Sequence, residues 1–147
     1  MKKILLCLLA AVSVMLVACG PTPQYDPQTS NELAKKVTSG QALTQEDYLT
    51  MINQSEAGLA VLSGMLKDAK AETSQQYDSV MGIIADDPET TKMIDNCLIF
   101  TRFLKDAPLD EKAREAYSAY QKKNAEFVRT YKHSDEPSAP AENAEEK

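Results

Sequence analysis

The chain has 147 residues, with 22 acidic and 16 basic side chains, one histidine and no tryptophan, for a net charge of −6 at neutral pH. That balance argues against nucleic acid as a partner, because phosphate binding needs a concentrated positive patch. Three phenylalanines and no tryptophan argue against a large aromatic pocket, and the length suffices for one hydrophobic core.

The chain opens Met1-Lys2-Lys3 and continues into an apolar run from Ile4 to Val17. A charged start followed by a short apolar core has the pattern of a secretory signal. The run is about fourteen residues, short of the roughly 18–20 that a spanning helix needs. It ends Leu16-Val17-Ala18-Cys19-Gly20, which resembles the lipobox of bacterial lipoproteins. The resemblance covers the signal region alone. It implies cleavage between Ala18 and Cys19, diacylglycerol on the Cys19 sulfur and an acyl chain on the new N-terminus, with no other cofactor. Gly20, where aspartate would resemble an inner-membrane retention signal, implies the outer membrane, and the side facing the periplasm is expected. Stable residence on a bilayer takes two or more acyl chains, which such an anchor supplies. Removing residues 1–18 takes away two lysines and no acid, so the mature charge becomes −8. Cys97 is then the remaining free thiol, and no intramolecular disulfide can form.

Residues 19–30 follow as the lipidated cysteine and a spacer, since Pro21, Pro23 and Pro27 oppose regular structure. The helical domain is expected over 31–133. Residues 134–147, with five acids, two prolines and no large apolar side chain, read as a disordered acidic tail.

Within the domain the apolar spacing is helical throughout, which predicts an all-α fold: a small antiparallel bundle of about four main helices plus a short leading one. The leading helix fits 31–39 and stops at Gly40. The second starts at Thr44, with Asp47 placed to complete a capping box, and carries Tyr48, Ile52, Ser55, Leu59, Leu62, Leu66 and Ala69 on one stripe. A turn over 71–74, with Ser74 as cap, is slightly preferred to one long helix reaching Ala85. Asp87 and Pro88 are a cap and a first helical residue for a helix to about Lys105 that buries Met93, Ile94, Cys97, Leu98, Phe100 and Leu104. Asp106-Ala107-Pro108 ends it. The last helix runs from about Leu109 to Lys132 and buries Leu109, Ala113, Ala116, Tyr120, Phe127 and Tyr131.

No residue set announces catalysis. His133, the single histidine, reads as a charge complementing a helix C-terminus. Asp86, Asp87 and Glu89 read as a helix start rather than as a calcium site, which needs six to eight oxygens; no metal site is expected. Cys97, among apolar neighbours, reads as inert core. The unusual feature is Ala57, Gly58, Ala60, Ser63 and Gly64 inside one helix, since each internal glycine costs about 1 kcal/mol relative to alanine. Ala57, Ala60 and Gly64 form a ridge where another helix could approach. Close packing inside the bundle is the simpler reading, and a groove for a partner's helix is the sharper one. Met51, Met65, Met81 and Met93 could add adaptable surface there, or fill core.

The sequence thus leads to a lipid-anchored envelope protein with a non-catalytic interaction domain and an envelope protein as partner. Two alternatives stay open. One is a module that binds a small apolar ligand or lipid between helices, which calls for an enclosed apolar cavity of several hundred Å³. The other is a hydrolase, which calls for polar groups with strongly shifted pKa values converging in a cleft.

Overall fold

The structure, a computed structural model, describes residues 23–71 and 74–132. Ala18 and Cys19, His133 and the acidic segment 134–147 lie outside the described residues, as do the side chains of Tyr131 and Lys132. Among the described residues there are five helices and no strand: α1 (Pro27–Thr38), α2 (Gln45–Asp68), α3 (Ser74–Asp86), α4 (Pro88–Leu104) and α5 (Glu111–Lys132). The fold is an all-α helical bundle.

Local chemistry fixes most of the ends. Thr44 and Asp47 form a reciprocal capping box at the start of α2. Asp87 caps α4, with Pro88 at its first position, and the Asp110 carboxylate accepts from Ala113 N at 2.8 Å at the start of α5. Gly40 (φ 68°) stops α1 in the left-handed conformation, with Gln41 N donating back to Lys36 O and Gly40 N to Val37 O. The same double bond pattern closes α2, from Ala71 N to Leu66 O and from Lys70 N to Lys67 O. There Lys70 takes the left-handed conformation (φ 51°) that glycine would adopt more readily. The stop therefore exists although the sequence lacks Gly or Pro at that point, and α2 and α3 are two helices. Ser74, expected as a cap, is the first residue of α3.

The start of α1 differs most from expectation. α1 begins at Pro27, inside what composition suggested was spacer, because Asp26 is an N-cap whose carboxylate accepts from Gln28 N at 3.0 Å. Proline at the first helical position needs no N–H partner.

Paired contacts give the directions. Lys36 pairs with Asp47 at 3.1 Å while Ser30 bonds Gln54, so α1 and α2 are antiparallel. Tyr48 meets Phe103 while Gln54 O accepts from Cys97 Sγ, so α2 and α4 are antiparallel. Tyr117 and Tyr120 both reach Thr101, from α5 to α4. Two reversals leave α2 and α5 parallel: Gln45 binds Pro108 O and Asp110 N at their starts, and Glu56 pairs with Lys123 further along. α3 packs against α4 and α5 at one end.

The core lies at the α1 end, around Met51, Ile52, Phe100 and Leu104, with Leu33, Tyr117 and Tyr120 closing it. α4 is rotated from the expected placement: Leu98 is 47% exposed, while Asn96 and Phe100 are 0%. Met51 and Met93 are core, whereas Met65 and Met81 are half-buried. Ala69 at the end of the α2 stripe is exposed, because the helix stops there.

Three capping carboxylates make the fold acid-sensitive. Hydrogen bonding holds the pKa of each below the ordinary value of 3.8: from the Thr29 hydroxyl and Gln28 N at Asp26, from Thr44 N and the Lys36 ammonium at Asp47, and from the Thr90 hydroxyl and amide at Asp87. A lowered folded pKa contributes stability that is present above about pH 4 and lost as pH falls through the folded value. The urea midpoint is expected to drop on acidification below about pH 4, and Asp47→Asn to lower it at neutral pH while flattening that dependence. An unchanged acid limb in the variant would contradict the assignment.

Candidate functional site

The structure divides the small-residue ridge. Ala57 and Gly58 are buried and Ala60 is exposed. A Cβ on Gly58 would stand 2.7 Å from Cys97 Sγ and 3.6 Å from Met93 Cγ, so this glycine is what lets α4 approach α2. Among the described residues, a Cβ on Gly64 would meet nothing within 4 Å. The close-packing reading therefore holds at Gly58. At Gly64 no neighbour in the bundle requires glycine. Gly64→Ala is expected to stabilise the protein by about 1 kcal/mol through helix propensity. Gly58→Ala is expected to destabilise it, by about 1–3 kcal/mol for overpacking, and Cys97→Ala should relieve much of that. Urea unfolding of the three variants checks both signs.

Where α2, α4 and α5 diverge beyond this contact, an apolar cleft of about 170 Å³ opens. Gly58 and Cys97 form its floor, Leu62 and Ile94 its walls, and Leu98 and Val128 its rim. Leu98 and Val128 are exposed. The cleft is open rather than enclosed, and it is smaller than the cavity an apolar-ligand module calls for. A second, more polar groove of about 410 Å³ runs between α2 and α5, past Ala60, Ser63, Lys67 and the Glu56–Lys123 ion pair.

The molecule is polarised. Of the four exposed large apolar side chains among the described residues, Val61, Ile83 and Val128 belong to the half beyond Gln54, at the end of α2, in α3 and at the end of α5, and Leu98 stands at its edge, past the middle of α4 and next to Cys97, which meets Gln54 O. The opposite half closes around Phe100 and Met51. No helix of the described residues is long and apolar enough to cross a membrane.

Candidate chemistry finds other uses for its residues. Burial pushes the Cys97 thiol up to about 11, which leaves little thiolate at neutral pH. The Asp87 carboxylate is engaged by the amide and hydroxyl of Thr90, while Asp86 and Glu89 face solvent. Among the described residues, no group of three or more His, Cys, Asp or Glu is placed to hold a metal ion.

Hydrophobic spacing missed a buried polar cluster. Ser30 and Asn96 are fully buried and Gln54 nearly so. Gln54 and Asn96 bond to the segment just before α1 and to α1 itself. The available signal was position: Asn96 falls on the stripe of Met93, Phe100 and Leu104. Comparison with protein-family models, with curated proteins and with solved structures returns no match.

Proposed function

We propose that this protein is a bacterial lipoprotein of the cell envelope, held by lipid on Cys19 at the outer membrane and facing the periplasm. Its helical domain works by binding another envelope protein rather than by catalysis. The lipobox-like Leu16-Val17-Ala18-Cys19 supports the anchor. One structural observation supports the mode of action: the exposed large apolar side chains among the described residues lie in one half of the bundle or at its edge, and two of them, Leu98 and Val128, line an open apolar cleft there, while the other half is closed. Monomers rarely leave grouped apolar surface uncovered unless it binds something, and helix-in-groove docking uses such clefts. The end of the small-residue ridge, at Ala60 and Gly64, extends this half along α2.

The anchor would hold the domain close to the bilayer. Gln24 is bonded to Gln54, so four residues lie between Cys19 and the folded domain, five Cα–Cα steps or about 17 Å at full stretch. Photo-crosslinking in intact cells tests the reading. A photoreactive side chain at position 98 or 128 should capture one recurring envelope protein that the same group at position 112, on the closed half, does not. Equal recovery from all three positions, or from none, would contradict it.

A further inference from the structure

The segment Gln24–Ser30 lies on α2 and α4 and is held there mainly by polar groups. Asp26 N donates to Gln54 Oε1 at 2.7 Å, Ser30 Oγ donates to the same oxygen at 3.0 Å, and Gln54 Nε2 donates to Gln24 O at 3.2 Å. Behind it, Asn96 Nδ2 donates to Asn31 Oδ1 at 2.8 Å and to Tyr25 Oη at 3.4 Å. Of residues 24–30, Ser30 alone is buried. Lifting this segment uncovers one half-buried ring, Tyr25, and otherwise little apolar surface, and its hydrogen bonds exchange for bonds to water at small net cost. Such segments sit at the low end of local stability. Asn96 Oδ1 is buried and has no donor among the described residues, a penalty that water would relieve on opening. The sequence also offers a second helix start. Ser30 is a good capping residue, and the apolar positions Leu33, Ala34 and Val37 all lie after it.

We propose that Gln54 is a clasp on this N-terminal strap, and that opening it exchanges a helix capped by Asp26 for one capped by Ser30 and so lengthens the tether to Cys19. Closed, the tether is the five residues before Gln24. Open, it is the twelve before Asn31, about 40 Å at full stretch. The consequence for reach rests on the lipid-anchor reading, whereas the clasp itself does not. A closed clasp keeps the domain against the bilayer, and an open one lets the docking half find a partner farther away.

Two measurements on the full chain test this. In hydrogen exchange at neutral pH, the amides of Gln28 and Ser30 should exchange at least about tenfold faster than those of Met51 and Phe100. Gln54→Ala should speed the first pair by roughly another tenfold while leaving the second unchanged. Exchange of the strap at the core rate, or a variant that accelerates all amides alike, overturns the clasp. In the second, Glu115→Cys carries a fluorophore and the lipidated chain sits in vesicles of phosphatidylethanolamine and phosphatidylglycerol with an acceptor-labelled lipid. Energy transfer should fall in Gln54→Ala; an equal transfer efficiency overturns the longer tether. Absence of any vesicle association contradicts the lipid anchor, while the exchange result still decides the clasp.

Discussion

Cys19→Ser is expected to abolish incorporation of labelled palmitate and to leave a precursor that keeps its leader. The reason is chemical: the proposed diacylglyceryl group is joined to the Cys19 sulfur as a thioether, a serine hydroxyl is a far weaker nucleophile than a thiolate, and the proposed cut before residue 19 acts on the lipidated chain. Replacing residues 1–19 with an ordinary cleavable leader should then move the chain from the membrane fraction to the soluble periplasmic fraction, a change of well over tenfold. No described helix is long and apolar enough to span, and the net charge of −8 over residues 19–147 repels anionic headgroups. Each buried acyl methylene contributes about 0.8 kcal/mol, so losing two or more chains removes far more than side-chain contacts could restore. A leaderless chain still bound to membranes after a salt wash would contradict the anchor.

The largest loss of stability is expected at Phe100. Its side chain is 0% exposed and sits in the cluster with Met51, Ile52 and Leu104. Phe100→Ala removes a ring from a site where α1, α2 and α5 residues converge and should cost about 3–5 kcal/mol. For a small bundle that is a large fraction of the whole stability. Leu98→Ala, two residues away on the 47%-exposed side of α4, should cost less than about 1 kcal/mol. Urea titration of the pair checks the rotation of α4, and similar losses at both positions would contradict it.

Helix ends with explicit chemistry were readable before the structure: the Thr44–Asp47 box, Asp87-Pro88 and Gly40. The misreadings have physical causes. Asp26-Pro27 carries the same cap-and-proline signature as Asp87-Pro88, but it stands among Pro21 and Pro23, and proline density suggested a spacer. What keeps α1 turning there is long-range, the Gln54 amide reaching Asp26 and Ser30, and no local pattern announces it. In α4, Cys97, Leu98, Ile99 and Phe100 are consecutive apolar residues, so spacing alone cannot choose the inward side. The neighbours choose it: Asn96 meets Asn31 and Tyr25, and Cys97 meets Gly58. Asn96 itself was invisible to hydrophobic spacing because a buried amide is tolerated only when its partners are in place. The two glycines share one helix, yet they differ. Gly58 answers to Cys97, whereas no described residue would meet a Cβ on Gly64, a distinction that depends on how closely another helix passes.

The central claim is that acyl chains on Cys19 hold a helical interaction domain at a membrane. Intact mass spectrometry of the protein purified from its native membrane tests it most directly. The account predicts a chain beginning at Cys19 and heavier than its polypeptide by a diacylglycerol and one further acyl group. A chain that retains residues 1–18, or one that begins at Cys19 without fatty acid, would contradict it.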